Sequence, residues 1–286
     1  MPRPPGRSEE VGSAPAMCSS VDGGDSASRG PSPPVRPPPV AVYDCHFHLD
    51  ALLAKGRATS FADLAAQEEG GDVVLLGGVA NYAYPDSWSR RQGQMAGDPS
   101  VKVAIGLHPH KVGRGRPLMA FLQQLRDPAC TALGEVGIEL TSNCSCAGRC
   151  PKPAECWQQV TRDQVTTLTP VLQGAVVEGG GRPVIIHCKD GGSGRAAQKA
   201  LGCFRRVPGA STLAVHWHCF TGSVEDIEAW RQLLPNLHIG VTVLSLRAPS
   251  TRLALGGIDP SRLLLSRMPP TWCLREPGLE STAPGS

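Results

Sequence analysis

From residue 41 onward, short apolar runs alternate with longer segments whose apolar residues recur every three or four positions. The runs are "VAVYDCHFH", "DVVLLGGVA", "VKVAIGLHPH", "CTALGEVGI", "RPVIIHC", "TLAVHWHCF", "NLHIGVTVL" and "SRLLL"; the segments between them include "FADLAAQ", "LMAFLQQLRD", "RDQVTTLTPVLQGAVV" and "SVEDIEAWRQLL". Runs that stay apolar on both faces, separated by helical periods, are the pattern of parallel strands covered by helices. Eight is the number of strands at which such a sheet closes on itself, so the pattern predicts an α/β fold, a TIM-like β/α barrel over residues 41–265.

Neither end continues this pattern. Residues 1–40 hold ten of the 27 prolines, with much Ser and Gly, and too few large apolar side chains to offset the entropy of ordering. They predict a disordered tail whose "PPVRPPP" part leans to polyproline II and acts as a spacer. Residues 266–286 lack any helix-length periodic segment, so the barrel is expected to lack its final helix and to end in an atypical tail.

Composition narrows the classes. A formal charge of +3 gives no basic field, so any nucleic-acid contact must be local. No apolar run approaches the roughly 20 residues that span a bilayer, and the start lacks the basic-then-apolar order of a signal peptide. The reading is an intracellular protein, cytoplasmic or nuclear, with no membrane partner and nothing that calls for an obligate protein partner. Eleven cysteines in a chain with 41% hydrophobic residues are expected to stay reduced, because such a chain builds a core without a disulfide scaffold.

The chemistry sits at the ends of the runs. His46, His48, His108, His110, His187 and His218 all fall toward the C-terminal ends, the face where barrels of this kind place their active sites. Side chains two apart on a strand share a face, so His46 and His48 are expected to grip one cation while Cys45 and Phe47 turn to the helix layer. Glu135 ends "ALGEVG" and offers a carboxylate that can bridge; His187 and His218 add imidazoles from later strands. Any one of these residues alone reads as packed core. Four His and one Glu from four strand ends make a nitrogen and oxygen site suited to two divalent metal ions, Zn, Mn, Co or Mg. A pair of such ions lowers the pKa of water and stabilises charge on both oxygens of a displacement at phosphorus. His108, with His110, is expected to line the mouth and meet substrate, as is Lys189; His238 reads as structural. Cys188 and Cys219 read as packed thiols. The cluster Cys144, Cys146, Cys150 and Cys156 lacks the usual zinc spacing and is expected to bind no metal.

The segments "DCHFHLD", "IGLHPH", "GEVGIE", "PVIIHCKD", "HCFTGS" and "HIGVTV" stand in the order found in the TatD family of metal-dependent deoxyribonucleases, which the chain resembles over about residues 42 to 265. The resemblance implies a two-cation barrel with His46 and His48 on one ion, His187 and His218 on the other and Glu135, the catalytic carboxylate, between them. It also implies hydrolysis of phosphodiester bonds in DNA. The related alternatives are a metal hydrolase of amides or esters, and a pseudoenzyme or splice product that binds metal or a partner without turnover. One departure is "GIEL", where the family has Gly-Leu-Asp before an aromatic; Glu139 keeps the acid.

A second departure is larger. The family's Glu-Thr-Asp motif, whose Asp is a metal ligand, should follow the eighth strand, yet the chain reads "SRMPPTWCLREPGLESTAPGS" and no aspartate follows Asp259. Writing Arg267 to Trp272 as CGG ATG CCC CCT ACT TGG and starting from the last base of the first codon gives Asp-Ala-Pro-Tyr-Leu. The hypothesis is that the residues from Ser266 onward are the family's own ending read out of frame, which leaves this chain weakened or inactive. The transcript sequence across this junction tests it.

Overall fold

The computed structural model describes residues 37–55, 58–66, 72–94, 98–112, 116–141 and 153–266. Eight strands, β1 (Val40–Phe47), β2 (Val73–Tyr82), β3 (Val101–Ile105), β4 (Cys130–Glu139), β5 (Val184–Lys189), β6 (Val215–His218), β7 (Leu237–Val241) and β8 (Leu263–Leu265), lie in sequence order in one sheet. Every neighbouring pair is parallel. All eight coincide with the expected runs. Around them run α1 (Leu49–Ala54), α2 (Phe61–Ala66), α3 (Arg91–Gln94), α4 (Arg116–Gln124), α5 (Pro153–Glu178), α6 (Arg195–Arg206), α7 (Val224–Leu233) and α8 (Pro249–Gly256).

α5 and α6 pack against the sheet at β4, and α6 also at β5. α6 shows the logic: Ala196, Ala197, Ala200, Leu201, Cys203 and Phe204 are buried while the basic positions Arg205 and Arg206 close its last turn, where they face the negative end of the helix dipole. α7 starts with a capping box, in which the Ser223 side chain accepts from Asp226 N and the Asp226 side chain accepts from Ser223 N. Thus the serine of "HCFTGS" caps a helix. Between these two helices and β6 the core is aromatic: Trp217 lies 4.4 Å from Trp230, which in turn lies 5.6 Å from Phe204.

Two glycines let the strands that carry the site approach one another. A Cβ on Gly106 would lie 2.3 Å from Glu135 N, and one on Gly137, whose φ is 150°, would lie 2.0 Å from the His187 carbonyl oxygen. Only a residue without a side chain fits either place. The register also slips where chemistry is needed. Leu133 pairs with Val184 but Val136 with Ile186, so β4 carries one extra residue at Gly134 and Glu135; such a bulge re-aims a side chain.

A similar slip corrects the expectation for Cys45. Asp44 pairs with Gly78 and Phe47 with Ala80, which places three steps of β1 against two of β2. Alternation fails across this bulge: Phe47 packs on Phe61 of α2 as expected, but the Cys45 sulfur sits 3.8 Å from His216 Nε2, toward the other histidines. Cys188 does pack in the core. Cys219 lies just beyond β6 with φ of 48°, and its sulfur is 3.3 Å from Thr242 Oγ1.

The barrel is nearly closed. No ladder joins β8 to β1 among the described residues; instead the Ser266 hydroxyl donates to the His46 carbonyl at 2.7 Å, and Ser266 N donates to Val241 O. Beside this seam Leu265 is 59% exposed, and Val40, Tyr43, Val73, Val74 and Leu76 are exposed too. The expected tail over residues 1–36, the ending from Arg267 onward, and Cys144, Cys146 and Cys150 lie outside the described residues. Cys156 sits half-buried on α5. We expect Trp230→Ala to cost about 3–5 kcal/mol, since it empties the aromatic core, and Leu265→Gln to change stability by less than about 0.5 kcal/mol while reducing aggregation. Urea unfolding and light scattering check the pair.

Candidate metal centre

A single carboxylate forms the hub. Glu135 is 2% exposed and has five imidazoles around it: His187 Nδ1 at 3.0 Å, His48 Nε2 at 3.4 Å, His46 Nε2 at 3.7 Å, His108 Nε2 at 3.8 Å and His218 Nε2 at 3.9 Å. They come from the exits of β1, β3, β5 and β6, so all lie at the C-terminal rim. Gly137 pairs with His187, and His187 pairs with His218, which turns the two imidazoles to the same side of the sheet. His48 is the N-cap residue of α1, just past β1. All four histidines and the glutamate expected to form the centre are therefore brought together.

His108 joins them more closely than a mouth residue would. Two triads present ligand atoms close enough to hold an ion: His46, His48 and Glu135, and His108, Glu135 and His187. His218 stacks on His46 with ring centroids 3.5 Å apart. His110, expected at the mouth, is exposed, with its ring 4.9 Å from that of His108. Lys189 ends β5 opposite Glu139 and is half-buried. His216 is buried two residues before His218 on β6, with its ring 6.2 Å from that of His218, and His238 beside it faces its own Asn236 carbonyl at 3.3 Å.

Several residues at the site carried too weak a signal to be assigned a role in advance. Glu139 is the second carboxylate: its Oε2 is 2.9 Å from His187 Nε2, and its backbone is clamped by Gln164 of α5, which accepts from Glu139 N at 3.0 Å and donates to Glu139 O at 3.1 Å. "GIEL" had flagged the acid, whereas nothing in a helical Gln marked the clamp. Asn81, fully buried at the end of β2, lays its amide nitrogen 2.5 Å from His46 Nδ1 and 3.1 Å from Nε2, while its Oδ1 has no partner among the described residues. Rotating that amide by half a turn would let Oδ1 accept from a ring N–H and so choose the His46 tautomer.

The electrostatics follow from burial and charge. Burial opposes ionising Glu135, but the hydrogen bond and charge of His187, then His108 and His46, outweigh it and hold the carboxyl well below the usual range. Burial likewise opposes charging Glu139, yet His187 and the Thr141 hydrogen bonds bring it down to about 2. His187 sits between both acids; burial disfavours its imidazolium, but Glu135 and then Glu139 lift it to about 9. Burial pushes His46 and His218 well below the ordinary value and His108 down to about 3, so these three rings are neutral.

This donor set fits divalent cations. Neutral imidazoles are the ligating form, two ionised carboxylates supply the charge, and the proton on His187 occupies the position a cation would fill between the acids. His218 Nδ1 is buried with no hydrogen-bond partner among the described residues, a cost normally avoided. No helix of the described residues is long and apolar enough to cross a membrane.

The chain is similar to the human 3'-5' RNA nuclease TATDN2, 26% identical over 269 residues that make up 89% of this chain and 32% of that protein. It is also similar to the 3'-5' ssDNA/RNA exonuclease TatD of Edwardsiella piscicida, 29% identical over 172 residues, 57% of this chain and 55% of that one. The chain thus spans about a third and just over half the length of these two relatives. Among solved structures, YJJV, a TatD homolog from Escherichia coli k12, superposes with a TM-score of 0.55 at 22% identity, covering 79% of this chain and 78% of that one. An uncharacterized amidohydrolase from Saccharomyces cerevisiae reaches 0.59 at 16% identity, covering 80% and 75%. These two likenesses establish the barrel. Residues 43–266 match the TatD related DNase family, and the chain belongs to it.

Proposed function

We propose that the barrel holds two divalent cations around Glu135 and is built to hydrolyse phosphodiester bonds of single-stranded nucleic acid, DNA first among them. The observation that carries this is the buried carboxylate ringed by neutral imidazoles at the barrel rim, in a family named for its DNases. His46 and His48 would hold one ion and His187 and His218 the other, with Glu135 shared; His108, in a triad with Glu135 and His187, would be a further donor to the second. Zn, Mn, Co and Mg all suit this mixed set. Bound there, such ions supply Lewis acidity to the attacking water and to the scissile phosphate. The protein's part is to orient: the bulge at Glu135 aims the hub, Gln164 fixes Glu139, and Lys189 brings a positive charge to the rim for phosphate oxygens. The relatives named as nucleases of ssDNA and RNA support a strand, rather than a small ester, as substrate.

In the chain as written we propose weak or absent turnover. Its sequence after β8 runs "SRMPPTW" and supplies no aspartate for the family's last ligand, so proton handling at the attacking water lacks its base. A non-catalytic, metal-binding product is therefore the second reading, and it shares every residue of the first.

Three outcomes are expected. Reconstituted protein should bind about two divalent ions per chain, and His46→Ala with His48→Ala should remove one, read by metal analysis. Metal-free protein should lose stability as pH falls below about 6.5, the unfolded histidine value. Folded His108 titrates only near 3, so between these values the unfolded chain binds more protons and acid favours unfolding. Thermal melts in chelator at pH 7 and 5 read the sign. Replacing residues 266–286 by the in-frame ending should raise chelator-sensitive cleavage of single-stranded DNA by about 10²-fold or more, on the scale of general-base catalysis. Equal cleavage by the unmodified chain would overturn the weak-turnover reading.

A further inference from the structure

Tyr84 stands beside the metal centre without belonging to it. It lies two residues past the end of β2, in extended conformation ahead of Pro85, and so at the same rim as the ligand residues. Its ring stacks on His108 at 5.3 Å and 13°, and lies 6.3 Å from that of His48. The Lys111 ammonium is 5.7 Å from the ring centroid. These contacts all run through the ring. The hydroxyl at its edge makes no hydrogen bond among the described residues and is not among the buried atoms that lack a partner, so it opens to solvent at the rim.

A neutral donor fixed by stacking on His108, open at the rim beside an exposed Lys, offers a ligand a directed polar contact that phenylalanine in the same place would not. A cation would be a poor guest beside Lys111. An anionic oxygen bridging toward the ions is a good one, because the phenol adds a directed donor without adding a charge that would repel them, and Lys111 stands by to balance the excess negative charge.

We propose that Tyr84 is a substrate-binding residue whose hydroxyl donates a hydrogen bond to a non-bridging oxygen of a backbone phosphate in the bound strand. This rests on the reading of the barrel as a nucleic-acid phosphodiesterase, and it names the part of the substrate that the residue meets. His108 then has two duties, ligand on one edge and support for the Tyr84 ring on its face.

The test is binding, which does not depend on turnover. Full-length chain loaded with Mg²⁺ is titrated into a fluorescein-labelled oligothymidylate with ordinary phosphodiester links, and into the same strand with methylphosphonate links, whose phosphorus lacks the charged oxygen. Tyr84→Phe keeps the stack and removes only the hydroxyl. It should weaken the ordinary strand by about tenfold or more, the scale of a hydrogen bond to a charged group, and weaken the methylphosphonate strand, which keeps only a neutral phosphoryl oxygen, by clearly less. Melting temperature and bound metal should match wild type. Equal binding of the ordinary strand by Tyr84→Phe and wild type overturns the proposal, as does an equal loss on both strands, which marks a structural effect. Should Tyr84→Ala alone lose affinity, the ring acts only as a prop for His108 and the hydroxyl has no role. Failure of wild type to bind the ordinary strand overturns the phosphodiesterase reading and this proposal together, and so is told apart from failure of the tyrosine alone.

Discussion

Burial of the Glu135 carboxylate is the constraint around which the rim of this barrel is arranged. Taking an isolated carboxylate out of water costs far more than a domain's whole stability, so it must be met by opposite charge and donors. Here the compensation comes from β1, β3, β5 and β6 at once, which ties the site to closure of the sheet. Five imidazoles cannot all be charged in so small a space; burial and their mutual repulsion keep most of them neutral, and one proton is left on His187 between two acids. That imbalance, many lone pairs and a net negative hub, suits the cluster to holding cations.

The barrel was legible because parallel strands buried on both faces read as unbroken apolar runs, and all eight stood out. Helices were less visible where their buried stripe was made of small residues, as in α6 with Ala196, Ala197 and Ala200, or where the helix opened inside a histidine motif, as α1 does after His48. α5 begins at Pro153, well before the apolar period that marks it at Arg162. The ligand-type residues were legible from identity and position. What the pattern could not reveal was local register: a bulge of one residue turned Cys45 inward and aimed Glu135, and a bulge leaves no trace in composition. Nor could it reveal partners whose chemistry is common everywhere, such as Gln164 on Glu139 or Asn81 on His46.

The seam between the last strand and the first is where fold and site become one problem. β8 has three residues, and its tie to β1 among the described residues is a side chain, the Ser266 hydroxyl on the His46 carbonyl. His46 is both the first strand's contribution to the centre and the acceptor of that tie, so a displacement of β8 is transmitted to a ligand through one peptide unit. A closed ladder would have spread the same load over several backbone hydrogen bonds, each worth about 0.5–1.5 kcal/mol. Apolar side chains left in water at Leu265, Val40 and Tyr43 add to the pull away from closure, since they gain more from any other apolar surface than from their present exposure. Ser266 thus bears on the centre through the one hydroxyl by which it holds the strand that carries His46.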